Sequence, residues 1–168
     1  IEIQYNWMNN HPDVTLTGHA CKQVSDRGIA VNSVDVSTIK AEFYQITKKQ
    51  LLLKNFFSTR SVMLRREIDQ RFQDQKRYSE DYYLWAEICC AGLKCHLSDH
   101  PLAYSYKAPY GEGGLSARLW DMERGELGGY RGLYNSNYIN IATFSALCIF
   151  SLLKFVRRIV ITNLVRGK

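Results

Sequence analysis

The chain has 168 residues, of which 46% are hydrophobic and 23% charged, a balance that excludes a disordered or low-complexity class and suits one globular domain. Its net charge is +6, and the six basic residues after Glu126, with no acid among them, account for all of it. A neutral body with a basic tail points to an anionic partner at the C-terminal end, a membrane or a nucleic acid, and the aliphatic and aromatic density of the tail favours lipid.

Residues 1–10 read as a helix that stops before Pro12, because the residue ahead of a proline leaves the helical region. Residues 14–24 read as a strand with Val14, Leu16, Gly18 and Ala20 on one face, which leaves His19 on the exposed face. Gly18 within it marks close approach of another group. Residues 25–38 are polar, with Gly28, Asn32 and Asp35, and read as a loop or hairpin. Thr47 is placed to cap a short helix over 48–54 whose Leu51, Leu52 and Leu53 pack inward. Residues 56–65 then alternate as a strand, with Arg60 either approaching a phosphate or lying solvated at a strand edge. Arg65, Arg66, Arg71, Lys76 and Arg77 are mixed with Glu67, Asp69 and Asp74, the pattern of a solvated loop.

The next helix starts at Ser79, an N-cap residue type whose hydroxyl can accept from an amide one turn on. Glu80 and Asp81 fall in its first turn, where negative charge is favoured. Leu84, Trp85 and Ile88 share a face, and Gly92 ends the run. Residues 94–97 and 102–106 read as two short strands around a turn at Asp99, His100 and Pro101, followed by Lys107. A glycine-bearing loop over 109–114 opens into a helix over 115–127, part of an amphipathic stretch over 116–134. Glu123, Arg124 and Glu126 read as its solvated face.

In the stretch 139–165 the apolar run stops at Lys154, short of the ~18–20 residues a bilayer span needs. Lys154, Arg157 and Arg158 cluster on one helix face. Two readings stand: a basic amphipathic helix in the headgroup plane of an anionic membrane, or a core or oligomer helix whose polar stripe faces water. The five cysteines are odd in number and contain no Cys-x-x-Cys pair, which fits a reducing compartment and not a zinc site.

Glu80-Asp81-Tyr82-Tyr83-Leu84-Trp85, lying between an Arg-rich segment and Gly92-Leu93-Lys94-Cys95, resembles the Glu-Asp-x-x-Leu-Trp motif of inverting family 2 glycosyltransferases. Residues 11–18, 101–107 and 113–116 extend the resemblance in the same order. It implies an α/β, Rossmann-like GT-A fold, with 1–110 the C-terminal portion of the catalytic domain and 111–168 a helical extension ending in a membrane-associating tail. It implies a nucleotide-sugar donor, a saccharide or lipid-linked acceptor, and no nucleic acid. It places the protein in the cytoplasm, peripheral at the inner face of the cell membrane. Asp81 would be the catalytic base, with Glu80 orienting it or touching the acceptor. Trp85 would support the acceptor pocket, and Thr17 and His19 would line the donor cleft. Arg60 and Lys107 would approach phosphate, and Gly113 and Gly114 would belong to a loop that folds over substrate. A divalent metal, Mg or Mn, would be held by an Asp-x-Asp that is absent from this chain, so the chain is expected to lack the nucleotide-binding half and to bind no metal alone. No Gln-x-x-Arg-Trp motif is present, so a processive polysaccharide synthase is not implied. Cell-surface polysaccharide or lipopolysaccharide synthesis is the implied setting. The alternative is a non-catalytic module that binds a membrane or a partner.

Overall fold

The computed structural model describes residues 1–23, 39–73, 77–105 and 118–166. The chain divides into two compact units, Ile1–Asp69 with Gly92–Gly111, and Gln70–Ala91 with Glu112–Lys168. The protein is mixed α/β: the described elements are a four-stranded sheet in the first unit and five helices across the two. The acidic-motif helix groups with the C-terminal helices and not with the rest of the 1–110 segment. The loop expected over 25–38, Lys107, Gly113, Gly114 and the start of the helix expected at 115 lie outside the described residues.

The sheet unit contains α1 (Glu2–Asn10), β1 (Val14–Gln23), β2 (Tyr44–Ile46), α2 (Lys48–Leu53), a 3-10 turn (Thr59–Ser61), β3 (Met63–Leu64) and β4 (Lys94–Ser105). The sheet order is β2-β4-β1-β3, with β1 and β4 parallel in the centre and β2 and β3 antiparallel on the flanks. A central strand covered on both sides does not alternate. Thr15, Thr17 and His19 are accordingly as buried as Val14 and Leu16. His19 is therefore not an exposed strand histidine: it is 7% exposed, and its Nδ1 lies 2.8 Å from the Ala20 carbonyl.

Two polar side chains tie this unit together. The amide nitrogen of buried Gln4 lies within 3.1 Å of the Thr17 carbonyl, the Thr17 hydroxyl and the Ser61 carbonyl. Arg65 does not belong to a solvated loop. Its guanidinium donates to the carbonyls of Val14 (2.7 Å), Met8 (2.6 Å) and His11 (3.1 Å), joining the end of α1 to the start of β1.

Residues 56–65 are not one strand. Only Met63–Leu64 pairs with β1, and a 3-10 turn precedes it. Ahead of that turn the buried ring of Phe57 lies over Gly18, so close that a Cβ there would sit 2.6 Å from the ring. That is the close approach Gly18 foretells. The two strands expected around Asp99, His100 and Pro101 are one, β4. His19 faces Ser98 and Ala20 faces Pro101, so Asp99 and His100 form a bulge and not a turn. Among the described residues β2 pairs with β4 only from Cys95 to Leu97, and none pairs with that side of β4 at Pro101, a position where proline is tolerated. Thr47 caps α2 with a reciprocal bond to Gln50, as the sequence indicates. Leu51 and Leu52 are buried, but Leu53, a further 100° round, is exposed.

The helical unit contains α3 (Glu80–Cys90), α4 (Leu119–Asn135) and α5 (Ile141–Arg166). Seven residues of α3 are buried, so it carries no single apolar stripe. Gly92 stands just past its end at φ +85°, the left-handed position that suits glycine. Glycines bring α4 close: a Cβ at Gly125 would lie 2.5 Å from the Tyr78 carbonyl, and one at Gly132 would lie 2.9 Å from the Tyr83 ring. After α4, Asn137 takes φ 60°, and the Tyr138 amide returns to the Leu133 carbonyl, reversing the chain. The Asn140 side chain then accepts from the Thr143 amide at the start of α5.

Trp120 meets Phe155, Glu123 meets Arg158, Glu126 meets Lys154 and Tyr134 meets Phe144. From Glu123 through Glu126 to Tyr134 the partners on α5 fall from 158 through 154 to 144, so the two helices run antiparallel. Two expectations change here. Glu123 and Glu126 are not a solvated face: Glu123 is 0% exposed, and both acids point at α5. Nor do Lys154 and Arg158 form a free basic face with Arg157, since each is paired with one of those acids. Among the described residues, no helix is long and apolar enough to cross a membrane.

Candidate functional site

The acidic motif begins at an unusual backbone. Ser79 adopts φ 55°, ψ 25°, the left-handed region, which costs a non-glycine residue about 1–2 kcal/mol. In that conformation its hydroxyl makes no cap bond to its own helix, contrary to expectation, and instead donates to the Met122 carbonyl at 3.4 Å. Asp81 Oδ1 accepts from the neighbouring Tyr82 amide at 2.7 Å. Glu80 and Asp81 are both half-buried at the opening turn.

Behind them the helix is closed. Trp85 is 2% exposed, meets the edge of Phe72 at 5.9 Å, and its indole N–H has no acceptor among the described residues. It is a core tryptophan. Tyr82 lies 3.4 Å, oxygen to oxygen, from Tyr130, and burial pushes its phenol up to about 12.

Ahead of the motif the surface opens. A cleft of about 450 Å³ is lined by Gln73, Arg77, Tyr78, Asp121, Arg124 and two α4 glycines, Gly125 and Gly128. The Tyr78 phenol is held by Arg118 at 3.1 Å, and Arg118 lies 3.6 Å from Asp121. Arg77 and Arg124 against Asp121 leave the cleft lining with a net charge of +1, and a guanidinium is suited to phosphate or carboxylate oxygens. The sequence reading missed this cleft. Gly125 and Gly128, spaced three apart on one face of an amphipathic helix, are the signal that marks it.

The remaining expected residues are distributed as follows. Thr17 is fully buried in the sheet unit. Its hydroxyl accepts from Gln4 and contacts the Met8 sulfur at 3.1 Å, which leaves it no face for a substrate. Arg60 is exposed and donates to the Ser105 hydroxyl in the same unit. A second cleft, of about 420 Å³, lies in that unit between His19, Tyr44, Lys54, Phe56 and Asp99. The Tyr44 phenol donates to Asp99 at 2.7 Å, and that bond raises its pKa. Near Trp7, burial lowers the pKa of His96.

Among the described residues no group of three or more His, Cys, Asp or Glu side chains converges as a metal ion requires, so no chemical step is assigned to a metal here. Comparison with protein-family models, with curated proteins and with solved structures gives no match to this chain.

Proposed function

We propose that the chain carries the acceptor-side chemistry of an inverting glycosyltransferase with a GT-A fold, acting on a nucleotide sugar and a saccharide or lipid-linked hydroxyl. The observation that supports this reading most is the opening of α3. Asp81, the second acid of the motif, sits half-buried in the first helical turn, three residues after a tyrosine that lines a cleft bearing two arginines. The acceptor hydroxyl attacks the anomeric carbon from the face opposite the leaving group. Its oxygen–carbon bond forms as the bond to the nucleoside diphosphate breaks, and the proton passes to the Asp81 carboxylate. Glu80 orients the acceptor at the same turn. Arg77 and Arg124 offer fixed positive charge to a phosphate of the donor or of a lipid-linked acceptor.

The setting that fits is the cytoplasmic face of a membrane, with the protein bound peripherally through its C-terminal helix. Asp81→Asn in the natural protein is expected to abolish sugar transfer, by at least ~10²-fold as for loss of a general base, with an unchanged circular dichroism spectrum. Turnover at the wild-type rate would remove Asp81 from the mechanism. A second reading, a non-catalytic membrane-binding module, draws on the exposed apolar face of α5. It predicts vesicle binding with no transfer from any nucleotide sugar by the wild-type natural protein.

A further inference from the structure

α5 has four basic residues and no acid in Ile141–Arg166. In a helix lying against water, such residues face outward. Here Lys154 is 2.8 Å from Glu126, and Arg158 is 3.1 Å from Glu123, both toward α4. Leu147, Ser151 and Phe155 are buried on the same side, at steps of four. Because the pairs fix the rotation of α5 about its axis, the opposite side is turned out, and it is apolar. Ile149, Leu153, Val156 and Val160 follow one another at steps of four, three and four, and are 61%, 65%, 56% and 50% exposed. Leu152 widens the stripe on one side, and on the other exposed Arg157 lies between Leu153 and exposed Ile161.

We infer that this outward face of α5 lies in the interfacial plane of an anionic phospholipid bilayer, with Ile149, Leu153, Val156 and Val160 inserted and Arg157 at the headgroups. The inference rests on the membrane part of the function proposed above and specifies it: the cationic residues Lys154 and Arg158 are not the lipid contact but the clip that aims the apolar face. Charge selects the occupant. α5 has no carboxylate to answer Arg157, so the same face of a second copy offers it no counter-charge, whereas acidic headgroups complement it. At 1.5 Å per residue the helix is about 39 Å long, enough to lie along a surface through several turns.

The test is sedimentation of the whole chain with vesicles of phosphatidylcholine alone, or with about a third phosphatidylglycerol, at matched salt. The wild type should pellet with the anionic vesicles. Leu153→Asp with Val156→Asp should lower the partition coefficient by at least ~10²-fold, about tenfold per lost side chain. Arg157→Gln should lower it about fivefold. Leu153→Trp controls for folding: it should still bind, and its added emission should be quenched by lipids brominated on the acyl chains.

If the double Asp variant binds anionic vesicles like the wild type, or if the added tryptophan escapes quenching, this face is not the contact and the inference fails while peripheral binding stands. Failure of the wild type to bind any vesicle overturns both. A lipid-free wild-type dimer that the double Asp variant dissociates, without vesicle binding, assigns the face to a second copy and overturns the inference. Neither membrane result bears on Asp81, which is read by sugar transfer to a water-soluble acceptor.

Discussion

In the sheet unit, Gln4 and Arg65 enter partly or wholly buried settings and end on main-chain carbonyls. In the helical unit, Glu123 and Glu126 end on the cations of another helix. A carbonyl does not titrate and carries no net charge, so the bonds of the first kind hold across a wide range of pH and salt. Ion pairs of the second kind each take a carboxylate largely or wholly out of water and a cation partly so, and their attraction has to offset that desolvation. The bookkeeping is less complete there as well: Glu123 Oε1 and Arg158 Nε are buried without partners among the described residues. The sheet unit uses polar burial to join segments distant in sequence. The helical unit uses it to choose which side of α5 faces out.

The largest effect expected from this contrast is at Glu123. Glu123→Gln leaves the Arg158 guanidinium without its carboxylate and should destabilise the helical unit by about 3 kcal/mol, the low end for a broken buried pair because Arg158 keeps about a third of its side chain in water. Glu123→Leu with Arg158→Leu should recover most of that loss, since an apolar pair of similar volume removes both desolvated charges. Urea unfolding followed by circular dichroism measures both. Equal losses in the single and double variants would show that the seam depends on the pair itself.

Arg65→Met sharpens the other side of the comparison. It removes donors to three carbonyls and should cost about 2 kcal/mol, independent of salt between low and physiological ionic strength. A loss that shrinks with added salt would mean that Arg65 acts through charge and not through its fork of hydrogen bonds.

The contrast also explains what could be read from the sequence. Several element positions followed local signals: Pro12 after α1, the Thr47 cap, Gly92 at the end of α3 and the close approach at Gly18. What failed to show were matters of partnership. Arg65 looks solvated because the three carbonyls it meets belong to residues more than fifty positions away. Glu123 and Glu126 look solvated because their cations lie on a helix about thirty residues further on. Asp99 and Pro101 look like a turn because local composition does not reveal that parallel β1 runs beside them and carries the strand through. The acidic motif was legible as a helix start, but the left-handed Ser79 and the cleft built on Gly125 and Gly128 depend on α4 packing.

The smallest effect is the most diagnostic of the charged seam. Burial pushes the Glu126 carboxyl upward, but the Lys154 ammonium, with the Tyr130 phenol donating at 2.8 Å, outweighs burial and holds its pKa below 4.5. A carboxylate whose pKa is lower when folded than when unfolded binds protons more readily in the unfolded chain. Its contribution is therefore fully present above about pH 4.5 and is lost as the pH falls through the folded value. Burial pushes the Tyr130 phenol strongly upward, so it stays protonated and keeps donating to Glu126 throughout. Glu126→Gln retains the shape and an acceptor oxygen for that phenol while removing the charge facing Lys154. At pH 7 it should cost about 1 kcal/mol. The gap between wild type and variant should close steadily below pH 4.5, as the wild-type acid itself becomes neutral. A gap that stays constant down to pH 3 would mean that Lys154 gains nothing from the charge on Glu126, and that packing alone sets the rotation of α5.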